Sequence, residues 1–257
     1  MEMSELQNQG KDFVEVIKSF LEWCGDDPIF CTWGSMDLTE LQRNMAYYHL
    51  KLPYKVPLFY YDIQKLYALL HDCGKIKPSL DNAVEQLELL EERAFHRALD
   101  DAYYTGKIMT ALDFEKVKLF LSIDYYRVPK SKKEEVYAQF PGYSKYISRG
   151  FASKEDAMED KTVKDVMCYK CKRMLRKKIH WFSSNQKFYF CIAYCPEHGY
   201  AKGKIRLKKA EDGSTYVVKT IKLVDQENAQ LIFDKKEEVK NKRNIKNKMR
   251  KLNKKRQ

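Results

Sequence analysis

Two short ligand pairs limit what this chain can fold into more than any other feature: Cys168-Tyr-Lys-Cys171 and Cys195-Pro-Glu-His198, with 23 residues between them. In each pair two residues separate the ligands, and Pro196 and Gly199 turn the chain around the second pair. Two knuckles of this spacing can close a tetrahedron of three thiolates and one imidazole around Zn²⁺. Cys191 and His180 are the alternative residues that could replace one ligand. A closed four-ligand set leaves no open position for a reactant, so the expected Zn²⁺ is structural, a staple for a small module. The sequence around the pairs is strand-like, which predicts a β-rich, zinc-ribbon-like domain over 161–233.

Charge divides the chain in the same way. Residues 1–125 hold 13 Lys and Arg against 21 Asp and Glu, while 126–257 hold 35 against 15, so halves of −8 and +20 make up the net +12. An acidic globular domain joined to a basic module points to a polyanionic partner, most often nucleic acid. In GKIRLKKAEDGSTYVVKTIKLV two alternating runs flank Glu211-Asp212-Gly213 and predict a hairpin. Period-two alternation puts Lys202, Lys204, Arg206 and Lys208 on one face of its first strand, about 7 Å apart, with Ile205 and Leu207 on the other. Such a row suits a phosphate backbone, with Tyr169, Trp181 and Tyr200 as expected stacking residues. Residues 234–257 read as a basic tail, disordered alone, in which Ile245, Met249 and Leu252 allow a weak helix on binding; from 235 on it holds 12 Lys and Arg against two Glu. Pro129, Pro141 and Gly142 mark 126–160 as a linker. No apolar run reaches the ~18 residues of a membrane span and the N-terminus has no signal-peptide pattern, so a cytoplasmic protein with reduced cysteines and no membrane partner is expected.

The acidic half reads as an α/β layer. Phe13, Val14, Ile17, Phe20, Leu21 and Cys24 fall at helical spacing, and 29–33 (IFCTW) and 57–62 (PLFYYD) read as short strands. Helices are expected over 38–50, 63–70, 79–89 and 98–112. Strand, helix, strand, helix with short connections implies parallel strands.

Within this layer Asp37 follows a strand and a Trp-Gly turn in FCTWGSMDLTELQRN; Ser79 to Ala83 (SLDNA) come later, then His96 and, after four intervening residues, Asp101. Residues five apart on one helix sit roughly 140° apart, so His96 and Asp101 converge only if the histidine precedes the helix and the aspartate lies in its first turns. In this order and spacing the chain resembles the DEDDh 3′–5′ exonucleases of the ribonuclease H-like superfamily, over roughly residues 3–125, and most the branch of sporulation-inhibitor and histone-mRNA-trimming nucleases. The resemblance implies two-ion hydrolysis of terminal phosphodiesters at RNA or DNA 3′ ends, with Asp37 and Asp101 as ligands of Mg²⁺ or Mn²⁺ and His96 as the general base.

The family's first motif, Asp-x-Glu on an opening strand, is not found. Asp113-Phe-Glu115 follows His96 in a helical segment, and Asp225-Gln-Glu227 lies in the other half. The expectation is therefore an incomplete ribonuclease H-like domain with exposed strand edges, catalytically incomplete as it stands, in which Met1 is an internal methionine of a longer product or the gene is truncated. The alternative expectation is a non-catalytic nucleic-acid-binding protein that keeps a degenerate nuclease domain.

Overall fold

A computed structural model describes residues 10–71, 73, 77–89, 97–185 and 187–254. The chain divides into two compact units, 1–127 and 128–257. Both helices and sheets contribute, so the class is mixed α/β. Among the described residues no helix is long and apolar enough to cross a membrane.

Unit 1 is built on a three-stranded sheet of order β1 (Phe30–Thr32), β2 (Phe59–Asp62), β3 (Ser122–Ile123). β1 and β2 run parallel, with Thr32 opposite Asp62, and β3 runs antiparallel to β2. Tyr60 and Tyr61 of β2 are both buried although they point to opposite sides: side chains alternate across a strand, and here both faces are covered. Tyr60 enters a core with Ile17, Leu38, Met45, Leu52 and Leu58. Tyr61 enters another with Ile63, Leu66, Tyr67, Tyr104 and Ile108. The first core is supplied by α1 (Phe13–Cys24) and α2 (Asp37–Tyr47), the second by α3 (Ile63–Leu70), α4 (Leu80–Gln86), α5 (Ala98–Ala111) and α6 (Phe114–Val117). Asp12 starts α1 by accepting from the N–H groups of Val14 and Glu15, at 2.8 and 3.3 Å. Among the described residues β1 pairs with β2 alone, which leaves its other edge open.

Unit 2 is a six-stranded antiparallel sheet of order β4-β5-β9-β8-β7-β6. Its strands are β4 (Val136–Phe140), β5 (Tyr143–Ile147), β6 (Arg176–Asn185), β7 (Phe188–Cys195), β8 (Gly199–Lys209) and β9 (Thr215–Val224). The expected linker over 126–160 is corrected here, because β4 and β5 belong to the sheet. Pro141 and Gly142 break the chain between Phe140 and Tyr143, which face each other, so these breakers form a hairpin turn. The expected hairpin of β8 and β9 closes where Gly213 takes φ +81° and Asp212 accepts from the Ser214 N–H at 2.8 Å.

The two sheet faces are covered differently. One packs on α7 (Lys154–Glu159), α8 (Lys161–Lys164) and Phe151, burying Ile205 and Val217 with Ala157 and Val163. Arg149 braces this layer, donating to Glu135 at 2.7 Å and Asp160 at 3.0 Å. The other face carries the long helix α9 (Gln226–Lys254), whose Ala229 and Ile232 pack on Ile179, Phe190 and Ile192. The expected disordered tail is thus corrected to a helix. Asp225 accepts from the Asn228 N–H at 2.7 Å, so the first turn is capped and packed, and lysine-rich sequence then propagates a helix already nucleated.

Lys219 is buried in unit 2 and donates to the carbonyls of Thr162 and Asp165 at 2.6 and 2.7 Å. Burial of its ammonium lowers the pKa from 10.5 to about 8. Between those two values the unfolded chain holds a proton that the folded chain has lost, so stability rises with pH across that window. The buried charge costs about 3 kcal/mol below it. In urea titrations at pH 7 and pH 10, the gain of the wild-type protein is expected to exceed that of Lys219→Met by that order. Equal gains would remove Lys219 as the cause.

Candidate metal centre and cationic face

The first knuckle lies in a short β-bridged turn between Met167 and Met174. The Lys172 N–H donates to the Cys168 carbonyl at 2.8 Å, and Lys172 adopts φ +61° to close the turn. The second knuckle is the turn from β7 to β8, where Cys195 and Gly199 are paired and Gly199 takes φ +78°. The sheet brings the two turns together, and Arg173 ties them by donating to Glu197 at 2.6 Å.

Cys168, Cys171, Cys195 and His198 present ligand atoms that all lie within 4.8 Å of one another. The Cys171 and Cys195 sulfurs are 3.6 Å apart. His198 Nδ1 lies 3.7 Å from the Cys168 sulfur and 3.6 Å from that of Cys195. A tetrahedron with metal–sulfur bonds of about 2.3 Å has edges of about 3.8 Å, so the donor set and its spacing fit a metal such as zinc. Burial works to raise the Cys195 thiol pKa, but hydrogen bonds from the His198 ring, from the N–H groups of Glu197 and His198 and from Cys171 outweigh it and bring it down to about 6. Cys191 and His180 are not part of this group. Cys191 is wholly buried beneath Gly203, and burial pushes its thiol up to about 12. A Cβ at Gly203 would stand 2.4 Å from the Cys191 sulfur and 2.6 Å from the Trp181 ring, so only glycine fits there.

The row Lys202, Lys204, Arg206, Lys208 runs along β8 with the alternation expected: Lys204 and Arg206 are exposed, while Ala201, Gly203 and Ile205 are buried on the other face. Register extends the row into a surface. Lys202 lies opposite Lys222, which lies opposite Tyr143, and Lys204 lies opposite Thr220, which lies opposite Lys145. Following the pairs from β4 through β7, this face has no Asp or Glu at any strand position. Lys204 and Arg206 both lie over the Phe188 ring, at 4.7 and 5.8 Å. Two of the expected stacking residues are placed elsewhere: Tyr169 is buried, and Trp181 donates to the Lys164 carbonyl at 2.8 Å on the opposite side. Tyr200 shares the face of the row but packs under α9. Neighbouring strands, invisible in a single segment, decide which aromatics share a face.

In unit 1, Asp37 is the first residue of α2, reached from β1 through the Trp33-Gly34 turn with Gly34 at φ +107°. Asp101 lies in the first turn of α5, as convergence with His96 required. His96 itself lies outside the described residues. The Asp37 carboxyl pKa is raised, first by partial desolvation and then by the charges of Asp101 and Asp62, against a backbone hydrogen bond that lowers it. Three aspartates therefore share one electrostatic neighbourhood at the carboxyl ends of the parallel strands, where open α/β sheets bind ligands. Asp62 was missed in sequence, although it ends the strand-like run LFYYD. Both of its oxygens are engaged: Oδ1 accepts from the Lys65 N–H and Oδ2 from Lys77, each at 2.9 Å. Among the described residues these aspartates do not form a closed ligand group of the Cys₃His kind. As placed, they do not fit a two-ion centre, and no hydrolytic step is derived through one.

Comparison with family models, with curated proteins and with solved structures returns no match.

Proposed function

We propose that this chain binds nucleic acid, with unit 2 holding the phosphate backbone on the cation-bearing face of its sheet. The observation that carries this reading is the sheet face with no Asp or Glu at any strand position from β4 through β7, on which Lys145, Lys202, Lys204, Arg206, Lys208 and Lys222 share one surface. A field of one sign over several strands attracts a polyanion and has little sequence preference. The metal group staples the β7–β8 turn at the end of the same strands, holding the cations in register. The test is fluorescence anisotropy of labelled single-stranded RNA and DNA across a salt series. Affinity is expected to fall linearly with salt on logarithmic axes; no salt-sensitive binding of either polymer removes the reading.

A second reading, 3′–5′ exonuclease action, is favoured by Asp37 standing in the field of Asp101 and Asp62. It assigns Asp37 and Asp101 to Mg²⁺ or Mn²⁺ and His96 to general base, following the family resemblance. With no Asp-x-Glu strand motif and Asp62 held by Lys77, end-labelled oligonucleotides in Mn²⁺ are expected to be retarded but not shortened. Laddering from the 3′ end that Asp37→Ala, Asp101→Ala and His96→Ala each reduce by about 100-fold or more is the contrary result, and it would establish the enzyme.

A further inference from the structure

We infer that the groove between α9 and the far end of β6 is a second phosphate subsite, continuous with the β8 cations, so that a bound strand runs off the sheet and along the helix. This rests on the nucleic-acid reading and adds a path to it. The groove encloses about 310 Å³, lined by Ser183, Ser184 and Asn185 on one side and Lys242, Arg243 and Lys246 on the other, with Val239 at its base.

Chemistry and position both point to phosphate. Asn185 turns its Oδ1 to the N–H groups of Lys187 and Phe188, at 3.1 and 2.8 Å, which leaves its amide N–H bonds to donate elsewhere. Lys242 is paired with Glu238, whereas Arg243 and Lys246 have no carboxylate partner among the described residues. After Glu238 the sequence holds no acidic residue, so nothing downstream on the helix neutralises these cations. Hydroxyl, amide and guanidinium donors facing one space suit a phosphodiester oxygen.

The register supplies continuity. Asn185 lies opposite Phe188, and Phe188 lies opposite Arg206, so groove and cation row meet across three adjacent strands. Strands about 4.8 Å apart put Asn185 about 10 Å from Arg206, within reach of successive nucleotides of one strand. α9 packs on this face through Ile232, and Lys235 lies over the Phe190 ring at 4.3 Å, so the helix forms a wall beside the row.

The test compares oligothymidylates of about 5 and about 20 nucleotides, lengths that bracket the footprint of a small single-strand-binding domain. Two variants place the change in the groove: Arg243→Gln with Lys246→Gln, which spares the Lys242–Glu238 pair, and Ser184→Asp, which sets a carboxylate among the cations. Arg243 and Lys246 are exposed and Ser184 is half-buried, so circular dichroism checks the fold. For the longer oligomer each variant is expected to weaken binding about tenfold, and the double variant to lower the salt slope by about 1.4, at about 0.7 per phosphate contact; the shorter oligomer is held unchanged on the β8 row. An unchanged long-oligomer affinity in both variants overturns the groove while leaving the face intact. If wild-type protein binds neither length in a salt-sensitive way, the nucleic-acid reading itself fails, and the groove with it.

Discussion

Removing metal from the Cys₃His group is expected to lower the thermal midpoint of the protein by about 10–20 °C. Cys168 and Cys195 are wholly buried, and the Cys171 and Cys195 sulfurs stand 3.6 Å apart. Without an ion, the knuckles are held by two β-bridged turns and a half-exposed Arg173–Glu197 pair, which is worth little. In isolated fingers structural zinc contributes about 10–16 kcal/mol of apparent binding energy. The loss here is smaller, because six paired strands keep a core of their own. About 3–5 kcal/mol converts to a shift of that size in a domain of this length. Metal analysis should find close to one zinc per chain in the wild type and in Cys191→Ser, and little in Cys168→Ser or His198→Ala. Zinc retained by the last two variants, or a melting curve indifferent to chelator, would dismiss the centre.

Neutralising three cations on β8 (Lys204, Arg206 and Lys208, each to Gln) is expected to weaken single-stranded nucleic-acid binding roughly 100-fold at low salt and to lower the salt slope by about 2. A control of like kind is available on the other side of the sheet, where Lys161→Gln and Lys164→Gln alter exposed residues of α8. Because both sets lower net charge, a face-specific site predicts loss in the first set and near-unchanged binding in the second. Equal losses would mean that net charge alone drives association. The fold should tolerate the β8 changes: Lys204 and Arg206 are exposed, and their contacts over Phe188 are worth about 0.5–1 kcal/mol each.

How much could be read in advance depended on the range of the interaction. The ligand spacing pointed to the four side chains that meet, because two tight turns close locally and need only one long-range contact, but it left Cys191 and His180 as replacements that only the fold set aside. The alternation of β8 likewise placed Lys202 to Lys208 on one face, since period two is a property of the strand itself. The apolar spacing of α1 and the two parallel strands of unit 1 were legible for the same reason. The β4–β5 hairpin was not, because Pro141 and Gly142 break the chain whether they end a domain or turn a hairpin, and the partner that decides, β9, lies some 70 residues further on, with Ile147 opposite Val218.

From sequence alone, then, came the Cys₃His set, the cation row and an acidic half distinct from a basic one, all written in residue types and short spacings. Tertiary structure alone decided that the row lies on a sheet face with no carboxylate at its strand positions, that Cys191 and Trp181 belong to the opposite side, that the basic end is a helix anchored by Ala229 and Ile232, and that Asp62 joins Asp37 and Asp101. The physical reason is that burial and electrostatic environment are set by neighbours distant in the chain, and strand pairing assigns those neighbours only once the sheet has formed.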